Sequence, residues 1–123
     1  MPHIVFYNLI DLDFEKKNID SIEKAIIGVV TGMKELDLTQ EDISFSFLVD
    51  PTIVSRKIPI IVIVELLFEK KERTFEVRER LANELGQAIK LTISGWRYMA
   101  GIEVAVKRFD PKKDGFYSIQ CAA

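Results

Sequence analysis

The sequence carries the same order of hydrophobic patterns twice, and this repeat limits what the chain can fold into. In each half, an apolar run typical of a β-strand is followed by helical spacing and then by a second strand pattern. The first strand of each half begins at a proline, Pro2 or Pro59. Each half therefore predicts one β-α-β unit with two parallel strands and a helix packed on the sheet.

The first repeat spans residues 1–50. After its opening strand, apolar residues recur on one helical face as far as Met33, and Asn18 or Asp20 is predicted to cap this helix. The stretch "ISFSFLV" then alternates between phenylalanine and serine. This alternation predicts a strand with one buried face.

The second repeat spans residues 58–109, and residues 110–123 follow it as a C-terminal arm. The run "PIIVIVELLF" is typical of a strand that is buried on both faces. Thr74 is placed to cap the second helix, and "IEVAV" alternates as the last strand of the repeat. In the arm, "FDPKKDG" predicts a chain reversal into a short final strand at "FYSI".

Together the repeats predict an α+β (α/β two-layer) fold in a single domain over residues 1–123. We expect a four-stranded mixed sheet with a central antiparallel pair, two helices on one face, and a short C-terminal strand. Strands that are apolar on both sides need cover on the second face as well. That face is expected to meet other subunits, and a homotrimer is the economical assembly.

Composition removes several classes of function. The chain is 48% hydrophobic and 29% charged with a net charge of -2, so nucleic acid and anionic membranes gain no global attraction. Cys121 and His3 are the only residues of their types, which leaves no disulfide and no His/Cys metal cage within one chain. No signal peptide, membrane span, phosphate loop or serine nucleophile elbow is recognisable, and the cytoplasm is the expected location.

Several short stretches resemble one known group. The start "MPH" and the helix "ERTFEVRERLANELGQAIK" are similar to 5-carboxymethyl-2-hydroxymuconate isomerase, and "GMKELDL" is similar to macrophage migration inhibitory factor. The segment "KKDGFYSI" is similar to a C-terminal hairpin of the same group. With its two repeats, the chain resembles the tautomerase superfamily, which also includes 4-oxalocrotonate tautomerase. The resemblance implies a trimer, an amino-terminal proline as general base, and neither a metal nor an organic cofactor.

Such a proline suits proton transfer between the carbon and the oxygen of an enol. Removal of Met1 would turn the ring nitrogen of Pro2 into a secondary amine. Apolar enclosure and nearby cations both disfavour the charged form of an amine, so it can act as a base near pH 7 and then as the conjugate acid. The expected substrate is a small keto or enol acid, and cations would hold its carboxylate and stabilise the enolate.

Topology indicates which cations lie near Pro2. The start of the first strand is expected beside the start of its parallel partner, below the turn that carries Lys34. It also faces the end of the third strand, where "FEKKERT" places Lys71 and Arg73. We predict these three residues as substrate-binding cations, with Phe116 as an apolar wall.

Other interpretations remain open at this point. Each cation can be a solvated surface charge, and His3 is expected to be structural rather than catalytic. The chain could be a non-catalytic trimeric binding protein of the same fold, or a dimeric ferredoxin-like domain that binds a regulatory metabolite. The second strand in the 5-carboxymethyl-2-hydroxymuconate isomerase pattern carries an arginine, but this chain has "ISFSFLV" there. The 4-oxalocrotonate tautomerase pattern has an arginine at the start of the strand after the helix, where the second repeat has Glu103. Neither of their substrates is therefore assigned.

Overall fold

The computed structural model describes residues 2–9, 16–50, 52, 58–93 and 101–121. In order, these form β1 (His3–Leu9), α1 (Lys16–Gly32), β2 (Ser44–Val49), β3 (Ile60–Phe68), α2 (Phe75–Thr92), β4 (Ile102–Phe109) and a one-turn helix α3 (Pro111–Asp114). Two 3₁₀ turns, Lys34–Leu36 and Gln40–Asp42, lie between α1 and β2. The predicted order of two β-α-β units is confirmed.

The four strands form one sheet in the order β2-β1-β3-β4. Within each repeat the two strands are parallel neighbours, with His3 opposite Ser44 in the first repeat. The central pair β1–β3 is antiparallel, with His3 opposite Glu65. This is the predicted mixed sheet. The ferredoxin-like alternative is wrong, because a split β-α-β fold would place another strand between the parallel partners.

Both helices cover the same face of the sheet, where the core lies. Alternate strand residues point under the helices, so each strand supplies side chains at every second position. Burying an aliphatic side chain of this size typically contributes about 1.5–3 kcal/mol. The core consists of apolar side chains from both helices and all the central strands, among them Ile4, Phe6, Ile22, Ile26, Val30, Met33, Ile60, Val62, Val64, Leu67, Leu81, Leu85 and Ile89.

The opposite face of the sheet also carries apolar side chains, as predicted for β3. Val5 is only 5% exposed, and Ile61 and Ile63 beside it are half-buried. No described helix covers this face within the chain, since both long helices pack on the other side. No described helix is long and apolar enough to cross a bilayer.

The sequence predicted the start of α2 correctly and the start of α1 incorrectly. Thr74 caps α2 as predicted, because its side-chain oxygen accepts a hydrogen bond from the Val77 backbone N–H at 3.3 Å. Helix α1 begins at Lys16, so neither Asn18 nor Asp20 is its cap. Lysine is a good helix former, and it extends the helix upstream of the apolar face.

The C-terminal arm differs from its prediction. Residues 115–121 form no strand, and the reversal at "FDPKKDG" contains α3 instead, whose cap Asp110 accepts a hydrogen bond from the Lys112 backbone N–H at 2.9 Å. Gly115, at φ 74°, then turns the chain away. A strand needs a paired neighbour, and the described part of the chain offers this segment none. The predicted turn at 94–100 and most of the 51–57 connector lie outside the described residues.

Candidate active site

Pro2 is buried at the end of the sheet where β1 begins. Its carbonyl oxygen accepts a hydrogen bond from the Ser44 backbone N–H at 3.2 Å, which holds it beside the start of β2. Proline lacks an N–H, but ahead of the first ladder residue it leaves no ladder bond unmade. Pro2 therefore lies beside the start of the second strand, as the topology predicted.

The segment after β3 runs past the start of β1. Because His3 pairs with Glu65 in an antiparallel ladder, residues beyond Glu65 extend past Pro2. Lys70 and Lys71 follow in this segment, and both are exposed. The sheet therefore brings a pair of positive charges to the end at which Pro2 lies.

Arg73, in the same segment, is 4% exposed. Its terminal nitrogens donate hydrogen bonds to the Phe68 carbonyl at 2.7 Å and to the Leu36 carbonyl at 2.6 Å. Nε has no hydrogen-bond partner among the described residues. The side chain therefore joins the end of β3 to the 3₁₀ turn of the first repeat, and one edge of its guanidinium remains unused.

The charge of Arg73 is held inside the protein. Burial lowers the pKa of its guanidinium, and the nearby carboxylates of Asp37, Asp42 and Glu72 oppose that effect. Arginine stays protonated in proteins even so. Arg73 is thus a buried, fixed cation. The sequence had favoured a solvated loop charge at this position, and that interpretation is wrong.

A carboxylate near Pro2 was not predicted. Asp42 lies in the turn before Ser44, and its Oδ2 accepts hydrogen bonds from the Thr39 backbone N–H at 2.8 Å and hydroxyl at 3.1 Å. These two bonds lower the pKa of Asp42, and the charge of Lys70 adds to the effect. The spacing in "TQED" is that of a capping box, which was a usable signal.

We call the group of Pro2, Asp42, Lys70 and Arg73 the Pro2 corner. It contains a buried ring, one carboxylate and two cations, one of them exposed and one buried. Opposite charges at short range influence whether a neighbouring amine is protonated. The corner therefore contains the kinds of group that would influence the protonation of an amine at position 2.

The predicted cation Lys34 lies on the helix layer. It is exposed at the start of its 3₁₀ turn and lines a cleft between α1 and α2 with Gly28, Gly32 and Arg80. Its turn is connected to the Pro2 corner through Leu36, whose carbonyl Arg73 binds. Lys34 and Arg73 are therefore linked through backbone, with Lys34 free to point into solvent.

Phe116 packs against the end of β3 from the same chain. Its ring meets Phe68 edge-on with centroids 5.0 Å apart, and it lies 5.7 Å from the Phe109 ring. It is nevertheless 48% exposed. Since Phe68 precedes the lysines that run past Pro2, the aromatic cluster lies at the same end of the sheet as the Pro2 corner.

His3 makes contacts of a structural kind. Its Nδ1 lies 2.6 Å from Ser44 Oγ, and its Nε2 lies 2.8 Å from Ser46 Oγ. Both ring nitrogens therefore have a hydroxyl partner, and the ring is on the sheet face away from the buried side chain of Ile4. Among the described residues, no three His, Cys, Asp or Glu side chains are grouped as metal ligands.

The fold is shared with several solved structures. A fused 4-OT wild-type asymmetric trimer matches with a TM-score of 0.68 and 12% identity, over 93% of this chain and 91% of that one. The FG41 malonate semialdehyde decarboxylase, inhibited by 3-bromopropiolate, matches with a TM-score of 0.59 and 14% identity, over 96% and 91%. A macrophage migration inhibitory factor-like protein of Entamoeba histolytica matches with a TM-score of 0.61 and 8% identity, over 94% and 95%.

These similar structures belong to the tautomerase superfamily. The chain therefore has the tautomerase-superfamily fold, as its sequence predicted. No protein-family model matches the sequence, and no curated protein matches it either. At this low identity, the likeness concerns the fold alone.

Proposed function

We propose that the chain is a cofactor-independent tautomerase or isomerase. It moves a proton between the carbon and the oxygen of a small keto or enol acid, with Pro2 as the general base. One observation carries the proposal: Pro2 is buried at the end of the sheet where β2 begins and a cationic segment passes. The fold likeness to a 4-OT and to a malonate semialdehyde decarboxylase supports it.

The reaction begins once Met1 has been removed and the ring nitrogen is a secondary amine. Burial favours the neutral amine, whereas the carboxylate of Asp42 favours the ammonium form and Lys70 opposes Asp42. The neutral nitrogen takes a proton from the carbon next to the ketone carbonyl of the keto acid and leaves an enolate. The ammonium then gives the proton to the enolate oxygen, which restores the base.

Three cations and one ring are proposed to hold the substrate. Lys71 and Lys34 are exposed, so their ammonium groups are available to a carboxylate. Arg73 supplies a fixed positive charge from a buried position, since its guanidinium is bound to two backbone carbonyls. Phe116, half-exposed on Phe68, supplies the apolar wall. Charge that is fixed in place before the reaction stabilises an enolate better than charge that must reorganise.

We further propose that the protein works in the cytoplasm as a homotrimer. The apolar side chains on the sheet face away from the helices support assembly, as do the trimers among the similar structures. The free thiol of Cys121, which is exposed, suits a reducing compartment.

One observation favours a second function. Both terminal nitrogens of the Arg73 guanidinium donate hydrogen bonds to backbone carbonyls, so this buried cation mainly stabilises the fold. A binding protein of the same fold, without proton-transfer chemistry, would use the exposed lysines alone. The two functions differ in whether the Pro2 nitrogen matters.

The test uses protein made without any tag at its amino end, with loss of Met1 verified by intact mass. Enol–keto conversion of phenylpyruvate, followed by ultraviolet absorbance, is compared between Pro2→Ala and Pro59→Ala. In Pro2→Ala the enclosed secondary amine is replaced by a less basic primary amine, and kcat should fall by about tenfold or more. Pro59→Ala should retain the parent rate. Equal rates in both variants would favour the binding protein.

A further inference from the structure

A groove lies on the helix side of the sheet, between α2 and the edge strand β4. Helix α2 presents the small residues Ala82 and Gly86 toward β4, so the helix leaves part of the strand uncovered. The resulting cavity has a volume of about 510 Å³, with Ile102 and Val104 at its floor. A smaller cavity of about 190 Å³ shares Ala82 and reaches Val106. We call the two cavities together the α2–β4 groove.

The first repeat fills the corresponding space with aromatic rings. Its edge strand β2 packs Phe45 and Phe47 against the core, and their ring centroids are 6.2 Å apart. The Phe47 ring also stacks on the buried Phe6 ring at 4.8 Å. Strand β4 has shorter, branched aliphatic side chains in the same layer. The second repeat therefore leaves apolar surface open, and an apolar ligand that enters there leaves water and gains dispersion contacts.

The floor of the α2–β4 groove is a single row of apolar side chains. Ile102, Val104 and Val106 occupy every second position of β4, and all three are half-buried. They span about 13 Å at the usual strand rise. Phe75 lies at the Val106 end, and its side chain is 63% exposed. An apolar strip that is long and one side chain wide fits an extended alkyl chain better than a compact ring system.

The rim of the groove differs in charge between its two ends. At the Ile102 end, α2 contributes the ammonium group of Lys90 beside the amide of Gln87. At the Val106 end it contributes the carboxylate of Glu79, and Glu76 lies one turn before that residue. The guanidinium of Arg78, at the same end, is engaged by the Arg73 carbonyl at 2.7 Å. The free positive charge on the rim is therefore that of Lys90.

An anionic amphiphile complements this pattern in one orientation. Its carboxylate would accept hydrogen bonds from Lys90 and Gln87, and a hydrogen bond between charged groups is stronger than a neutral one. Its alkyl chain would then lie along the floor toward Val106. The reverse orientation would place the carboxylate beside Glu79 and Glu76, where like charges repel. Charge complementarity therefore selects a carboxylate head at the Ile102 end.

The groove suits one dissolved molecule better than a membrane surface. Its apolar floor is recessed between α2 and β4, and exposed polar residues border it, namely Glu79, Asn83, Gln87 and Lys90. Surfaces that bind anionic bilayers combine apolar side chains with a basic rim. This rim carries a carboxylate as well as a lysine, and the chain has a net charge of -2. The favoured source of the carboxylate is therefore a free acid.

We propose that the α2–β4 groove binds a free straight-chain monocarboxylate of about ten carbons, a length that matches the floor. The carboxylate binds at Lys90, and the end of the chain lies near Phe75 and Val106. Each methylene that enters the groove should raise the affinity about fourfold. The groove shares no residue with the Pro2 corner, so this binding does not depend on the proposed reaction.

Isothermal titration calorimetry on the full chain tests chain length and place. Decanoate, kept below its micelle concentration, should bind about tenfold more tightly than octanoate, because two more methylenes are buried. Gly86→Leu fills the groove and should weaken decanoate binding by about tenfold or more. A Cβ at Gly86 meets Val104 at an ordinary 3.7 Å, so the helix can accept the change.

Gly28→Leu is the matched control, since Gly28 is also a helical glycine, in α1, with nothing near its Cβ position. It lines the cleft between α1 and α2, so a loss confined to this variant would place the ligand there and overturn the proposal. Undiminished binding to Gly86→Leu with native circular dichroism would overturn it as well. A lower sedimentation coefficient for Gly86→Leu than for the parent would assign the groove to a second copy of the chain, which also contradicts the proposal.

Charge exchange at the rim tests the orientation independently. Lys90→Glu should weaken decanoate binding by about threefold or more and should strengthen binding of decyltrimethylammonium, which has a chain of the same length and the opposite charge. Lys24→Glu on α1 is the control, because Lys24 is also exposed, and it should change neither affinity. An unchanged preference in Lys90→Glu would refute the carboxylate position. Decanoate that associates only when phosphatidylglycerol vesicles are present would refute a site for the free acid.

Discussion

The two β-α-β repeats have the same architecture, yet they differ in the chemistry that each one can offer. The first strand of each contains a bulge with a residue in the left-handed region, Asn8 at φ 67° in β1 and Leu66 at φ 56° in β3. Each strand also follows a proline. The two repeats therefore share this backbone conformation, although the residues at the two positions differ.

The prolines show the difference. Pro2 precedes β1 near the chain's end, and its carbonyl accepts a bond from Ser44. Pro59 precedes β3 in mid-chain, where its nitrogen is an amide and its carbonyl accepts a bond from Asn8 Nδ2 at 3.0 Å. Only Pro2 can have a basic nitrogen, and only after Met1 has been removed. Under the proposed mechanism, only a proline with a freed nitrogen can act as the base, so the two repeats are not chemically equivalent.

The largest effect is expected from making the two prolines alike. A residue placed before Pro2 that the cell does not remove would convert its nitrogen into an amide, as in Pro59. We expect the rate with phenylpyruvate to fall by about 10²–10⁴-fold, the usual contribution of a general base. Intact mass and enol–keto kinetics measure this together. A fully active extended protein would rule out Pro2 as the base.

The next effect concerns the bond between the repeats. Arg73→Met should lower the free energy of unfolding by about 2–4 kcal/mol, since it leaves the Leu36 and Phe68 carbonyls without their charged donor. Urea denaturation measures the loss. Arg80→Met is the matched control, because its ion pair with Glu35 is on the surface and should matter little. Similar losses in both variants would contradict the bridging role of Arg73.

The caps of the two repeats should respond differently to pH. Asp42 has its pKa lowered below 3.8 by Thr39, so it adds stability that is full above the unfolded pKa and is lost as pH falls through the folded pKa. Asp42→Asn should therefore destabilise at neutral pH, and the difference from the parent should close as pH falls below about 4.

The second repeat supplies the control for that experiment. Thr74 caps α2 with a hydroxyl and no carboxylate at the third position, where Val77 lies. Thr74→Ala should cost about 1 kcal/mol at every pH. Urea titrations at a series of pH values measure both variants. A loss in Asp42→Asn that stays constant down to acidic pH would contradict the role of the carboxylate.

The smallest effects are expected at the bulges, with opposite signs. Leu66→Gly removes an unfavourable positive φ from a side chain that is 39% exposed, and should stabilise by up to about 1 kcal/mol. Asn8→Gly keeps the backbone conformation but loses the bond to Pro59, and should destabilise by about 0.5–1.5 kcal/mol. Thermal unfolding measures both variants. A Leu66→Gly protein that is less stable than the parent would show that the positive φ of Leu66 is not a source of strain.

The sequence predicted those features of the fold that are local or periodic. The alternation in "ISFSFLV" predicted β2, and Thr74 before an amphipathic stretch predicted the cap of α2, because each signal lies within a few residues. The start of α1 was misplaced, since lysines at 16 and 17 have no apolar periodicity. The strand predicted at "FYSI" is absent from the described chain, because a strand forms only where a neighbouring strand pairs with it.

The candidate site was harder to predict for a related reason. The place of Pro2 followed from topology, but the burial of Arg73 depends on carbonyls of Leu36 and Phe68, which distant segments supply. No local pattern distinguishes that arginine from Lys71, which is exposed in the same turn. Asp42 was missed although its capping-box spacing was visible, because its meaning depends on Pro2 lying beside β2.

The position of β1 in the sheet determines when its pairing can be completed during synthesis. β1 is synthesised first, yet it lies between β2 and β3 and cannot complete its pairing until Glu65 has been added. At usual translation speeds, Glu65 follows the initiator by roughly 3–13 s. Because the finished sheet buries Pro2, the proposed mechanism requires methionine excision within this interval, while the nascent chain is still open to an aminopeptidase. A chain that folds before trimming would keep an inert terminus.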